Sequence, residues 1–170
     1  MSIESIISGI ISGLIASGIL TTVLFAIKPK VKIAKEACIN TERGILSIKF
    51  VNMSRVDLID LNYSLFYCLD KGDGIVNVQE IPPLKPRLKS VDKYDAKNPE
   101  HPYAICITYD IASTTGFGTD DPKHNSFFEF SVCSRHSLSN AIGFTKERYT
   151  LDEIIEGRYE TKKSTTILRS

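Results

Sequence analysis

Residues 58–68 read LIDLNYSLFYC, a stretch in which apolar and polar side chains alternate. Successive side chains of a β-strand point to opposite faces of a sheet, so this alternation predicts a strand with one buried face. The predicted face carries five large side chains: Ile59, Leu61, Tyr63, Leu65 and Tyr67. Residues 44–51 alternate too, with Leu46, Ile48 and Phe50 on one face and Ser47 and Lys49 on the other.

Further short strands are predicted at residues 31–40, 75–81, 103–111, 127–133 and 144–151. Turn-forming or proline-rich segments lie between several of them, and only residues 151–157 have room for a helical turn. Short strands without long helices between them are typical of an antiparallel β-sandwich. The fold class predicted for most of the chain is therefore all-β.

The N-terminal part of the chain has a different pattern. Residues 6–27 contain no charged side chain, and 14 of these 22 residues are Ile, Leu, Val, Phe or Ala. A helix of this length spans roughly 33 Å, which is enough to cross the hydrocarbon core of a bilayer. A cleaved signal peptide would begin with basic residues, whereas residues 1–5 carry only the acid Glu4. We therefore predict one retained N-terminal transmembrane α-helix.

Lysines are concentrated directly after this predicted span, at Lys28, Lys30, Lys32 and Lys35, and none precedes it. Basic residues favour the cytoplasmic side of a membrane, so the N-terminus is predicted outside and the C-terminal domain in the cytoplasm. The predicted divisions are a transmembrane helix (6–27), a basic juxtamembrane linker (28–36), the β-sandwich (37–160) and a polar tail (161–170).

Small residues recur every four positions in the predicted span, at Gly9, Gly13 and Ser17. Such a ridge lets two helix backbones approach closely and predicts helix packing within the membrane. Glycine and serine are also common in transmembrane helices that do not pack in this way, so both interpretations stay open.

The composition excludes several function classes. The net charge is +1 and no basic stripe interleaves with aromatic residues, so nucleic-acid binding is not expected. The four cysteines are Cys38, Cys68, Cys106 and Cys133; without any C-x-x-C pair they are predicted to be buried and inert rather than metal ligands. The three histidines are expected in solvated loops. No catalytic residue, metal site or cofactor is predicted, and the protein is not expected to be an enzyme.

Residues 114–118 read TTGFG, which fits the T-x-G-[YF]-G pattern of potassium selectivity filters. A filter must be enclosed by membrane helices, whereas polar residues follow this segment and no second apolar span exists in the sequence. We interpret the match as a surface turn.

Five segments match short motifs in the order in which one channel family carries them. They are 28–30 (KPK, for R-P-K), 44–55 (GILSIKFVNMSR, for G-K-x-x-L-x-x-R-V-x-N-x-R), 128–130 (FEF, for F-E-[FL]), 141–145 (AIGFT, for A-T-G-M-T) and 149–159 (YTLDEIIEGRY, for Y-x-x-D-E-I-[IL]-W-G-x-[RH]-[FY]). The chain thus resembles the inward-rectifier potassium channel family, in its inner helix and cytoplasmic C-terminal domain only. Glu156 replaces the family's Trp, and no counterpart of the pore helix or filter is present, so selective potassium conduction is not implied.

The resemblance implies an immunoglobulin-like β-sandwich below the membrane, assembled as a fourfold ring. It implies anionic lipid contact at Lys28 and Lys30, and a constriction formed by Gly143, Phe144 and Thr145. Independently of the resemblance, each juxtamembrane lysine near an anionic leaflet contributes about 1 kcal/mol, so the whole lysine cluster is predicted to bind lipid headgroups. The alternative is that the lysines only fix the topology.

Two functions are predicted from these features. The first is a regulatory or pore-like oligomeric subunit without a potassium filter, either as a homo-oligomer, with a tetramer expected, or joined to a channel partner. The second is a membrane-anchored binding or adaptor module that recruits a protein or small ligand at the inner membrane face.

Overall fold

The computed structural model describes residues 3–70, 76–95, 104–112, 125–159 and 167–169. The chain begins with one helix, α1 (Ile3–Ala26), which is about 36 Å long at 1.5 Å per residue. Its segment Ile3–Val23 is long and apolar enough to cross a membrane, and none of its most apolar window is buried against the rest of the chain.

The other described elements are strands, apart from one turn of 3-10 helix. In chain order they are β1 (Val31–Ile33), β2 (Ala37–Asn40), β3 (Ile45–Asn52), β4 (Leu58–Asp70), β5 (Val76–Ile81), β6 (Ser90–Val91), β7 (Ala104–Asp110), β8 (Asn125–His136), β9 (Ile142–Thr150), the 3-10 turn (Leu151–Glu153), β10 (Ile154–Tyr159) and β11 (Ile167–Arg169).

Strand β3 is the centre of the first sheet. It pairs with β7 along one edge, and along the other edge it pairs first with β2 and then with β1. Beyond β2 the sheet continues through β10 to β11. All these pairs are antiparallel except β2 with β10, which run parallel.

The second sheet has the order β5-β4-β8-β9, and every pair in it is antiparallel. Strand β6 adds to the first residues of β4. The end of this sheet that contains Leu58 and His136 lies next to the turns that follow β3 and β8, whereas Asp70 and Asn125 mark the opposite end.

The core lies between the two sheets and is rich in aromatic rings. The ring of Phe130 lies 6.3 Å from that of Phe50 and 6.4 Å from that of Tyr109, between centroids. Rings at this spacing pack edge-to-face or tilted, which stabilises them beyond simple burial. The predicted fold class, an immunoglobulin-like antiparallel β-sandwich after one apolar N-terminal helix, is confirmed.

One detail of the strand predictions is wrong. Ile59 does not share the buried face of β4, because the pairing with β8 shifts between Ile59 and Asn62 and Asp60 has a φ of 50°. This bulge moves Leu58 into the core instead. Lys49 lies on the outer face of β3 as predicted, and it is buried there beside the ring of Tyr159.

The predicted linker and tail both contain strands. Residues 31–33 of the linker form β1, and exposed Lys35 and Glu36 separate it from β2, so the predicted strand 31–40 is two strands. Within the predicted tail, residues 167–169 form β11, which pairs with β10. The TTGFG segment at residues 114–118 lies outside the described residues.

Candidate membrane-proximal site

The chain that leaves α1 is attached to the sandwich. We call residues 27–30 the junction. The carbonyl oxygen of Ile27 accepts a hydrogen bond of 2.8 Å from Ser139 Oγ in the turn between β8 and β9. Pro29 covers Gly143, where an added Cβ would lie 2.8 Å from the proline Cβ. The close approach of Pro29 therefore requires glycine at this position.

The junction also contacts the turn after β3. The backbone N–H of Lys30 donates to Ser54 Oγ at 2.8 Å, and its carbonyl accepts from the N–H of Met53 at 2.7 Å. Two turns from different sheets thus hold the same four residues. Because these bonds fix the backbone on both sides, the helix exit is not joined to the sandwich by a free linker.

Asn52 organises the turn after β3 from a fully buried position. Its amide nitrogen donates to the carbonyls of Val56 and Asp92, at 3.0 and 2.8 Å, and its amide oxygen accepts from the N–H of Ser54 at 2.8 Å. A buried amide that makes three hydrogen bonds avoids the cost of an unsatisfied polar group. Asn52 therefore connects this turn to the segment that follows β6.

His136 organises the other turn and is buried, contrary to the prediction that the histidines lie in solvated loops. Its Nδ1 accepts the backbone N–H of Ser139 at 3.2 Å, which requires an unprotonated Nδ1. Burial lowers the pKa of His136 below its ordinary value of 6.5. The residue that bonds the helix exit is thus positioned by a neutral histidine.

The four predicted lipid-binding lysines are all exposed. Lys28 and Lys30 belong to the junction on either side of Pro29, Lys32 lies in β1, and Lys35 follows it. Lys28 and Lys30 lie within four residues of the end of α1, where anionic headgroups would lie if the helix crosses a membrane. Lipid binding by these lysines stays a prediction.

The other predicted site residues lie in two separate places. Gly9, Gly13 and Ser17 form an exposed row on α1, and a Cβ built on either glycine meets no atom within 4 Å. Gly143, Phe144 and Thr145 lie in β9, where they pair with β8 rather than form a loop. Their role in a constriction stays a prediction.

Sequence reasoning missed a group of large apolar side chains on the β8–β9 hairpin. Leu138 is 76% exposed, Ile142 is 63% exposed and Phe144 is 65% exposed. We call these three residues the apolar rim. Leu138 precedes Ser139, and Ile142 and Phe144 flank Gly143, so each member is a sequence neighbour of a residue that contacts the junction. The sequence signal was the AIGFT segment, which the resemblance assigned to a constriction.

Acidic side chains also lie at the end of the sandwich that contacts the junction. Asp57, Asp92 and Asp95 line a pocket of about 280 Å³ together with Lys93. The Asp57 carboxylate accepts the backbone N–H of Lys93 at 2.8 Å, so part of its role is to hold the turn. Among the described residues, no group of three His, Cys, Asp or Glu side chains could hold a metal ion.

The cysteines differ in exposure. Cys38 and Cys68 are buried, Cys133 is partly buried, and Cys106 is exposed, so the prediction of burial is wrong for Cys106. Burial raises the pKa of the Cys38 thiol to about 12, which keeps it protonated and unreactive at neutral pH.

No model of a protein family matches the sequence, and no curated protein matches it. The resemblance to inward-rectifier channels therefore stays a prediction that rests on the five motifs.

Proposed function

We propose that this chain is a single-pass membrane protein that holds a β-sandwich binding module at the inner face of the membrane. In this proposal α1 crosses the bilayer with its N-terminus outside, and Lys28 and Lys30 of the junction lie at the cytoplasmic leaflet. The sandwich then recruits an extended segment of a partner protein. The observation that carries this proposal is the edge of strand β5 with which no described strand pairs. It lies at one end of a domain whose opposite end is hydrogen-bonded to the exit of a helix long enough to cross a membrane.

The open edge is β5. It pairs with β4 along one side, and in the described part of the chain nothing pairs with its other side. Five of its six residues are exposed, including Val76 and Val78. An edge strand without inward charges or a bulge is a template for a further strand. Strand β9, at the opposite edge of this sheet, has β1 close to it.

The hydrogen bonds of the junction hold the sandwich in a fixed position relative to the end of α1, and this also fixes the position of the β5 edge. Val76 pairs with Asp70, twelve residues along β4 from Leu58, so β5 begins about 40 Å from the membrane-proximal end. A partner bound there would be held at a fixed distance from the headgroups. A fixed distance allows the module to recruit a partner to the membrane without any catalytic group.

A photo-crosslinking residue tests the edge. At Val78 it should give one adduct of defined mass in native membranes. At Leu84, which is exposed but lies outside the strand, it should not give that adduct. The same adducts from both positions, or none from Val78, would contradict recruitment at β5.

A second candidate is the oligomeric regulatory or pore-like subunit, and the open ridge on α1 favours it. Because nothing lies within 4 Å of a Cβ placed at Gly9 or Gly13, another helix backbone could approach there. Light scattering of the full-length protein in mild detergent separates the two functions. A monomer supports the binding module, whereas a tetramer that dissociates in the Gly9→Ile, Gly13→Ile variant supports the oligomeric subunit. No potassium-selective current is expected from either.

A further inference from the structure

We infer that the apolar rim is a second membrane contact, in which Leu138, Ile142 and Phe144 enter the boundary between headgroups and acyl chains. The inference rests on the proposed function, because it requires α1 to lie in the bilayer. The ligand is a phospholipid surface rather than one bound lipid molecule.

The position of the rim follows from the junction. Ile27 is the first residue after α1, and its carbonyl is bonded to Ser139, the neighbour of Leu138. Pro29 lies against Gly143, on the face of β9 opposite to the one from which Ile142 and Phe144 project. The hairpin therefore sits beside the point at which the helix ends. If α1 spans the bilayer, lipid headgroups are the first surface that this hairpin meets.

The chemistry of the rim suits this boundary. On β9 the outward residues are Ile142 and Phe144 near the junction, followed by Lys146 and Arg148 farther from it. Apolar side chains nearest the helix exit, with basic residues close by, are the arrangement of proteins that lie in a membrane interface. Lys28 and Lys30 add positive charge at the same level, where anionic headgroups attract it. Water would otherwise cover three large apolar side chains on one hairpin.

The same residues cannot serve as a constriction on a pore axis while they lie in lipid. If four copies surrounded a pore, Phe144 would face the other copies and not acyl chains. The inferred role and the predicted constriction therefore exclude each other, and a measurement of lipid contact decides between them.

Tryptophan fluorescence provides that measurement, because the chain contains no tryptophan. Single variants Leu138→Trp and Phe144→Trp of the full-length protein are reconstituted in liposomes of zwitterionic and anionic phospholipid. The lipids carry bromine either near the headgroups or near the bilayer centre. Val76→Trp, at an exposed position at the far end of the sandwich, is the matched control, and Leu14→Trp reports on α1 itself.

We expect lipids brominated near the headgroups to quench both rim variants roughly twofold, as for side chains at the interface, and to leave Val76→Trp unchanged. Leu14→Trp should be quenched by bromine at the bilayer centre. If neither rim variant is quenched while Leu14→Trp is quenched, the inference is overturned, but α1 still lies in the membrane as proposed. In that case, protection of the rim from the aqueous quencher acrylamide would identify another protein surface as its cover. An unquenched Leu14→Trp would instead overturn the proposed function.

Discussion

The outer faces of the two sheets differ, although the same alternation builds both. On the first sheet Lys49 is only 4% exposed, and its Nζ lies 5.9 Å from the centre of the Tyr159 ring. On the second sheet the outer face of β9 leaves Ile142 and Phe144 exposed. Alternation decides which side chains share a face, whereas the segments that cross a face decide whether it is buried.

The cover of the first sheet comes from both ends of the domain. Ala34, Cys38 and Tyr159 form a small buried cluster, against which Ile167 of β11 packs. The Tyr159 hydroxyl donates to the carbonyl of Glu36 at 2.6 Å, which fastens the end of β10 to the segment between β1 and β2. The described part of the second sheet places no such segment over Ile142 and Phe144, which stay exposed.

The largest expected effect on stability comes from truncating Tyr159, which covers the outer face of the first sheet. Tyr159→Ala should lower the free energy of unfolding by about 3 kcal/mol, because it removes a buried ring and exposes the surroundings of Lys49. Phe144→Ala on the uncovered face should change it by less than about 0.5 kcal/mol. Urea unfolding of the detergent-solubilised variants measures both values. Equal losses would show that the two outer faces do not differ in burial.

Two tyrosine hydroxyls of the core, one hydrogen-bonded to the small cluster and one without a hydrogen bond in the described part of the chain, test the contribution of that bond to stability. Tyr149→Phe should cost about 1 kcal/mol, because the hydroxyl donates to the Ala34 carbonyl of the small cluster at 2.6 Å. Tyr109→Phe should be neutral or stabilising, because its buried hydroxyl has no hydrogen-bond partner among the described residues. The same unfolding assay distinguishes them, and a greater loss for Tyr109→Phe would contradict the assignment.

The covered face should be sensitive to alkali. Burial raises the pKa of Cys38 from 9.0 to about 12, so the folded state holds this proton more tightly than the unfolded state. The stabilisation is complete below pH 9 and is lost as the pH rises from 9 towards 12. Cys38→Ala should reduce this part of the alkaline slope of the melting temperature. An unchanged slope would argue against the burial of the thiol.

The β8–β9 hairpin, which carries the apolar rim, should instead make the stability of the domain sensitive to acid. Because burial lowers the pKa of His136 below 6.5, the unfolded state binds the proton more tightly than the folded state. Stability should be full above pH 6.5 and should fall as the pH decreases from 6.5 through the lower folded-state pKa. When the melting temperature is plotted against pH, the decrease below pH 6.5 should be absent in the His136→Gln variant. A slope that persists in the variant would assign it to other groups.

The sequence predicted most strands because their signal is local. The positions of β3 and β4 follow from alternation within a few residues. The error at Ile59 occurs where one extra residue changes the phase of the alternation. The burial of Lys49 under Tyr159 depends on a distant segment, which alternation does not reveal. The lysines at the candidate site were visible in the sequence as a charge cluster. Of the apolar rim, the sequence analysis named only Phe144, as part of a constriction.

The sequence by itself determined an apolar helix followed by a sandwich of alternating strands, because side-chain periodicity and the absence of charge act within a single segment. Only the tertiary structure decided how the helix exit is held. The hydrogen bond between Ile27 and Ser139 joins residues 112 positions apart, and the parallel pairing of β2 with β10 brings together the two ends of the domain. Such contacts depend on the packing of the whole sandwich, and no local pattern of side chains encodes them.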